Sequence, residues 1–286
     1  MGVIMRGKIY NIFWISIMVI VLWFGFKFKN NDGDISMLAE LLILFGGTIF
    51  GYLFTKFLEY ADDINLYLML QTLFNWNNKI RVSFAYLFRI EVDGTYFLIR
   101  GTKRKNFQPV GGVYQKYEGS KAVLRDIFEE NDEMKKGNEN DLRGKVVGKD
   151  LKKFIKWFNS RQDREITCYR EFNEELIKSN ILDKDTFNEI HYCYLGTHKT
   201  NIFISEYYGK EFLLAEIFEL QLDDEKKKKF RELKDKYEKA KDNSHLDYAF
   251  VSEEEIRRLH TNKRKKDDFE IDINNHTYKI LKGEYK

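Results

Sequence analysis

The sequence predicts an α+β soluble domain preceded by an N-terminal two-helix transmembrane hairpin, and three observations carry that prediction. Two apolar stretches, Ile9 to Phe26 and Ile35 to Thr55, are joined by a short polar turn. Beyond them, segments of period two alternate with segments of helical period. Of the 286 residues, 43% are hydrophobic and 16% aromatic, enough to build a core, which excludes a disordered chain. Two cysteines, Cys168 and Cys193, exclude a disulfide framework and a cysteine-based zinc site. The net charge of +3 gives no reason to expect a nucleic-acid coat, so no DNA or RNA partner is expected.

The first apolar stretch carries no charge over its 18 residues. At a helical rise of about 1.5 Å per residue it is about as long as a bilayer core is thick. Lys27 and Lys29 end it, and Asn30-Asn31-Asp32-Gly33-Asp34 supplies a turn too short for anything but antiparallel spans. Glu40 is the only charge of the second stretch and lies near its start, within reach of the interface. A secretory signal peptide would be shorter and followed by a small-x-small cleavage site. A buried core hairpin would also be shorter. Arg6, Lys8 and Lys56 flank the spans and Lys27 and Lys29 lie between them, which weakly favours both ends in the cytoplasm. Gly47-Thr48-Ile49-Phe50-Gly51 places two small residues on one helix face, so Gly47 and Gly51 are the expected transmembrane packing residues. The hairpin occupies residues 1–60, a linker helix 61–79, and the soluble domain 80–286.

Val82 to Val92 places apolar residues at period two, Asp93-Gly94 is a hairpin signal, and Thr95 to Arg100 is the return strand. Pro109, the only proline, precedes Val110, Gly111 and Gly112. Adjacent glycines serve either a tight turn or the close approach of a ligand or another element. Residues 113–160 read as a charged, partly helical insertion, with an amphipathic helix from Asp150 to Asn159. A further helix is expected from Arg164 to Lys178, with strands at His191 to Leu195 and Asn201 to Leu220. Asp223 to Lys241 reads as a solvated surface helix. Tyr248 to Val251 is a short strand, and Ser252 with Glu255 forms a capping box.

Glu171, Glu174 and Glu175 fall at i, i+3 and i+4 and share a helix face, with Tyr169, Phe172 and Leu176 turned the other way. Two readings stand on the residues alone: a solvated acidic face neutralised by Arg164 and Arg170, or a set of oxygen ligands for a magnesium ion.

The order of these segments resembles the Nudix family. Strand, Asp-Gly turn, strand and Pro109-Val110-Gly111-Gly112 lead to Arg170-Glu171-Phe172-Asn173-Glu174-Glu175 and then Phe250-Val251-Ser252-Glu253-Glu254-Glu255-Ile256. The resemblance implies an α/β/α sandwich around a mixed sheet, and magnesium held by Glu171, Glu174 and Glu175. The departures are 57 residues between Gly112 and Arg170, far more than the family's box contains, and Gln162 where the box has a glutamate. Hydrolysis is therefore expected to be weak or absent, the alternative being a membrane-anchored magnesium-dependent pyrophosphatase acting on nucleoside diphosphate derivatives. A two-span hairpin ahead of such a domain is similar to the two-transmembrane Nudix effectors of bacterial anti-phage systems that signal with cyclic oligonucleotides (CBASS). That resemblance implies an inner-membrane, multi-pass protein with its soluble domain in the cytoplasm. It implies a cyclic nucleotide ligand made by a partner synthase, homo-oligomerisation, and damage to the lipid bilayer. Such a ligand needs cations and close backbone approach. Arg89, Arg100, Lys103 and Arg104, with Gly111 and Gly112, are the expected ligand-binding residues.

Overall fold

The computed structural model describes Gly47, Gly51 and residues 66–101, 106–130, 139–205, 208–240, 245–261 and 272–285. Gly47 and Gly51 are both helical. The rest of the predicted hairpin lies outside the described residues, as do Lys103 and Arg104. Among the described residues no helix is long and apolar enough to cross a membrane. Tyr67–Lys286 form one compact unit.

Helix α1 (Leu66–Phe74) enters that unit. Its Gln71 side chain donates to the Ile202 carbonyl and accepts from the Ile202 N–H, at 3.2 and 2.8 Å. Strand β1 (Lys79–Arg89) is the spine of the fold. Its alternation is the period-two pattern made physical: Ile80, Val82, Phe84, Tyr86 and Phe88 are fully buried, whereas Arg81, Ser83, Ala85 and Leu87 stay half-exposed on the opposite face. Strands β2 (Glu91–Val92) and β3 (Thr95–Arg100) form the predicted hairpin. Asp93 and Gly94 take φ of 49° and 78°, the left-handed pair that a tight hairpin turn requires.

The larger sheet runs β6 (Glu129–Glu130), β7 (Arg143–Val147), β1, β10 (Gly209–Gln221), β8 (His191–Lys199). Strand β5 (Gly111–Val113) shares with β7 one edge of β1, and β9 (Phe203–Ser205) pairs with β10. Strands β1 and β10 are parallel and the remaining pairs antiparallel, so the sheet is mixed, as expected. A smaller sheet joins β11 (Tyr248–Ser252), β3 and β2, with β4 (Phe107–Gln108) on β3. The expectation of one mixed sheet is thus corrected to two, because the chain breaks at Ile90 and the β2–β3 hairpin leaves the plane of β1.

Residues 113–160 are not an appendage. After a short helix, α2 (Lys121–Leu124), they supply β7 to the central sheet and α3 (Gly148–Asn159) to the core. Phe154 and Phe158 of α3 pack edge-on against Phe84, at 4.9 and 4.7 Å between ring centres. The helix expected from Arg164 is shorter: α4 (Tyr169–Phe172) passes directly into one π-helical turn, Asn173–Ile177. Arg161 and Asp163 have φ of 59° and 53°, incompatible with helix, and the buried Arg164 donates to the Phe158 carbonyl at 2.7 Å. The long strand expected from Asn201 is the β9–β10 hairpin, reversing at Gly209 (φ 72°). Helix α5 (Asp224–Lys239) is N-capped by Asp223, which accepts from the Lys226 N–H at 2.8 Å. Helix α6 (Glu253–Thr261) has the predicted capping box: Ser252 N–H donates to Glu255 at 2.8 Å and Glu255 N–H to Ser252 Oγ at 3.3 Å.

Candidate functional site

The carboxylate helix is anchored where β5 meets β1. Phe172 and Leu176 are fully buried, and Phe172 meets Phe88 at 5.8 Å between ring centres. Tyr169, expected to turn inward with them, is 37% exposed. The π turn widens the helix at the residues that carry Glu174 and Glu175, a distortion common at functional sites.

Arg170 organises the surroundings. Its Nε donates to Glu165 at 3.0 Å, Nη1 to Glu171 at 2.6 Å, and Nη2 to the Val113 carbonyl at 2.8 Å and to Glu165 at 3.2 Å. Glu165 is buried and also accepts from the Gln115 N–H at 3.1 Å. Gln162, the residue at the box glutamate's spacing, is exposed on the turn. Glu165 therefore takes the place beside the arginine that spacing assigned to Gln162, because the two left-handed residues before it redirect the chain.

The glycines serve close approach, and the element that approaches is the helix. A Cβ on Gly112 would overlap the Glu171 carboxylate. Gly111 has φ of 144°, and a Cβ there would strike the Tyr86 carbonyl. The Gly111 N–H donates to Glu175 at 2.9 Å. Burial pushes the Glu175 carboxyl up to about 8 despite that hydrogen bond, and Glu171 and Glu174 add like-charge repulsion. Burial also raises Glu171, against the pull of Arg170.

These carboxylates have the oxygen chemistry that magnesium takes. One oxygen of Glu171 accepts from Arg170 and one of Glu175 from Gly111, while Glu174 stands 3.9 Å from both Arg170 and Lys178. Among the described residues no group of three or more His, Cys, Asp or Glu side chains is arranged to hold a metal ion. As arranged, the three glutamates do not fit one.

Arg89 and Arg100, two of the predicted ligand contacts, each engage other parts of the fold. Arg89 is buried and pairs with Glu91, approaches Glu219 at 3.7 Å and donates to Tyr285 at 3.3 Å. Arg100 clamps the Leu246 carbonyl through Nε at 3.1 Å and Nη2 at 2.8 Å and lies over the Phe107 ring. Arg100 is spent on the fold; Arg89 is engaged as well, with its Nε buried and without a hydrogen-bond partner. A different set of cations occupies the half-exposed face of β1. Arg81 and Ser83 lie on that face, and register places Glu211 beside Arg81 and Arg143 beside Ser83. Arg81 pairs with Glu211 and lies 4.0 Å from the centre of the Tyr208 ring. Sequence reasoning passed over these residues. The signal was present in Arg81 and Arg143, charged residues inside otherwise alternating strands.

Residues 79–281 match the family model described as the SMODS-associated NUDIX domain. No curated protein and no solved structure matches the chain.

Proposed function

The chain belongs to the SMODS-associated NUDIX domain family, and from that premise we propose that it is a membrane effector of a CBASS anti-phage system. The family links the chain to cyclic-oligonucleotide signalling. In this reading the NUDIX domain binds a cyclic nucleotide made by a partner synthase. Binding gathers the transmembrane hairpins into oligomers, and the inner membrane is breached. One observation favours a sensor over a hydrolase: Glu171 and Glu175 each give an oxygen to Arg170 or Gly111, and the three box glutamates are not grouped around a common cation position. NUDIX domains generally use a divalent metal such as magnesium. Turnover of a nucleoside diphosphate derivative with magnesium, abolished by Glu174→Gln or Glu175→Gln, would restore the pyrophosphatase reading.

Ligand binding can drive assembly only by favouring the assembled state. Association of the domains would raise the local concentration of the hairpins. Gly47 and Gly51 would then permit close contact between spans. The test is dye release from liposomes carrying the full chain. Leakage is expected only with a cyclic oligonucleotide present, and Gly47→Leu with Gly51→Leu should block leakage while leaving binding intact. Equal leakage with and without nucleotide would remove this mechanism.

A further inference from the structure

The face of the central sheet opposite α3 is only half covered. Arg81, Ser83, Ala85 and Leu87 of β1 and Leu213 of β10 are all half-exposed there, giving an apolar floor. Three cations border it. Arg143 stands beside Ser83 on β7, on the same edge of β1 as Val113 of β5. Arg81 stands two residues from Ser83, stacked with Tyr208. Lys279 comes from the turn Thr277–Ile280, which packs on β1 and β10, and Glu211 is its neighbouring carboxylate. Asp141 and Glu171 complete the charges around Arg143.

The polar atoms here are incompletely satisfied, unlike those around Arg170. Arg81 Nε and Arg143 Nε are buried with no hydrogen-bond partner. Burial holds Arg143 below the ordinary arginine range and pushes the Lys279 ammonium down to about 8. Buried cations lacking full compensation are costly to the folded chain and are retained where an anion will meet them. Two forked guanidiniums, one ammonium, an apolar floor and a 42% exposed tyrosine ring match the needs of a nucleotide.

We propose that Arg81, Arg143 and Lys279 bind the phosphates of a nucleotide ligand on this sheet face, with Tyr208 stacking on a base. This rests on the nucleotide-binding reading above and transfers the ligand contacts away from Arg89 and Arg100. Tyr208 already meets a cation, 4.0 Å from its ring centre, and its 42% exposed ring is of the kind on which bases stack.

The experiment is calorimetric titration of the full chain in detergent. The probes are 3′,3′-linked cyclic di- and trinucleotides on one side and ADP-ribose, a linear pyrophosphate, on the other. Arg143→Gln and Lys279→Met should each weaken binding of whichever probe the wild type takes by roughly tenfold or more, equivalent to about 1.4 kcal/mol. Lys228→Gln, an exposed residue of α5, should bind as the wild type does. Neither variant should lower the unliganded melting temperature, because at each cation the cost of burial outweighs the pull of the neighbouring carboxylates; a purely structural cation would lower it. If the wild type binds a cyclic probe and both variants bind it equally well, the inference falls and the proposed function stands. If only ADP-ribose binds and the variants lose it, the inference stands and the cyclic-nucleotide reading falls. Binding of no probe by the wild type overturns both.

Discussion

Arg170 and Arg143 both feel the charge of Glu171 and meet opposite fates. Arg170 makes hydrogen bonds to Glu165, Glu171 and the Val113 carbonyl, so that its guanidinium ties β5, the approach to α4 and α4 itself together. Arg143 sits in a strand of the same sheet edge with its Nε buried and unpartnered. The satisfied arginine holds architecture. The unsatisfied one costs stability and makes sense as a receptor for something absent from the chain itself.

Breaking the satisfied side should cost most. Arg170→Met leaves the buried Glu165 carboxylate and the Val113 carbonyl without their donor and should destabilise by about 3–5 kcal/mol, the usual range for stripping one partner from a buried charge pair. A urea titration measures it, and a loss below 1 kcal/mol would show that the network is not what holds the helix. Gly112→Ala comes next, since its Cβ would overlap the Glu171 carboxylate and force the helix off β5. A loss of about 1–3 kcal/mol is expected, typical of overpacking.

The opposite sign is expected at Arg143, where Gln should leave the melting temperature unchanged or raise it. Glu175 sharpens the contrast through pH. Its carboxyl titrates near 8 in the folded chain against 4.5 for an ordinary glutamate. Between those values the folded state binds more protons than the unfolded state, so this group lowers stability as pH rises from about 4.5 to about 8. Glu175→Gln should therefore melt higher than the wild type at pH 8, and the difference should shrink towards pH 5. A gap independent of pH would show that Glu175 is not the titrating group. The smallest destabilisation belongs to a region remote from both arginines: Ser252→Ala should cost about 1 kcal/mol by loss of the capping box.

Periodicity and turn chemistry specified much of this protein directly. The Val82–Val92 alternation, the Asp93-Gly94 turn, the Ser252–Glu255 cap and the helix ending at Asn159 were all legible, because each depends on neighbours a few residues away. The family resemblance was carried by Arg170, Glu171, Glu174, Glu175 and the paired glycines, and the match over residues 79–281 agrees with it. Sequence could not say that Glu165, five residues before Arg170 where the expected spacing is eight, would take the part assigned to Gln162. That depended on two left-handed residues redirecting the chain. Nor could it show that Arg89 and Arg100 would meet the C-terminal segment and the second sheet while Arg81 and Arg143 came together on the half-exposed face of β1. Both pairs are basic residues in strands. Their difference lies in what the register, the C-terminal turn and the second sheet bring against them, and those contacts join residues more than a hundred positions apart. Hydrogen-bond satisfaction is a property of three-dimensional neighbours, so only the tertiary structure could decide which charges hold the molecule together and which remain open to a ligand.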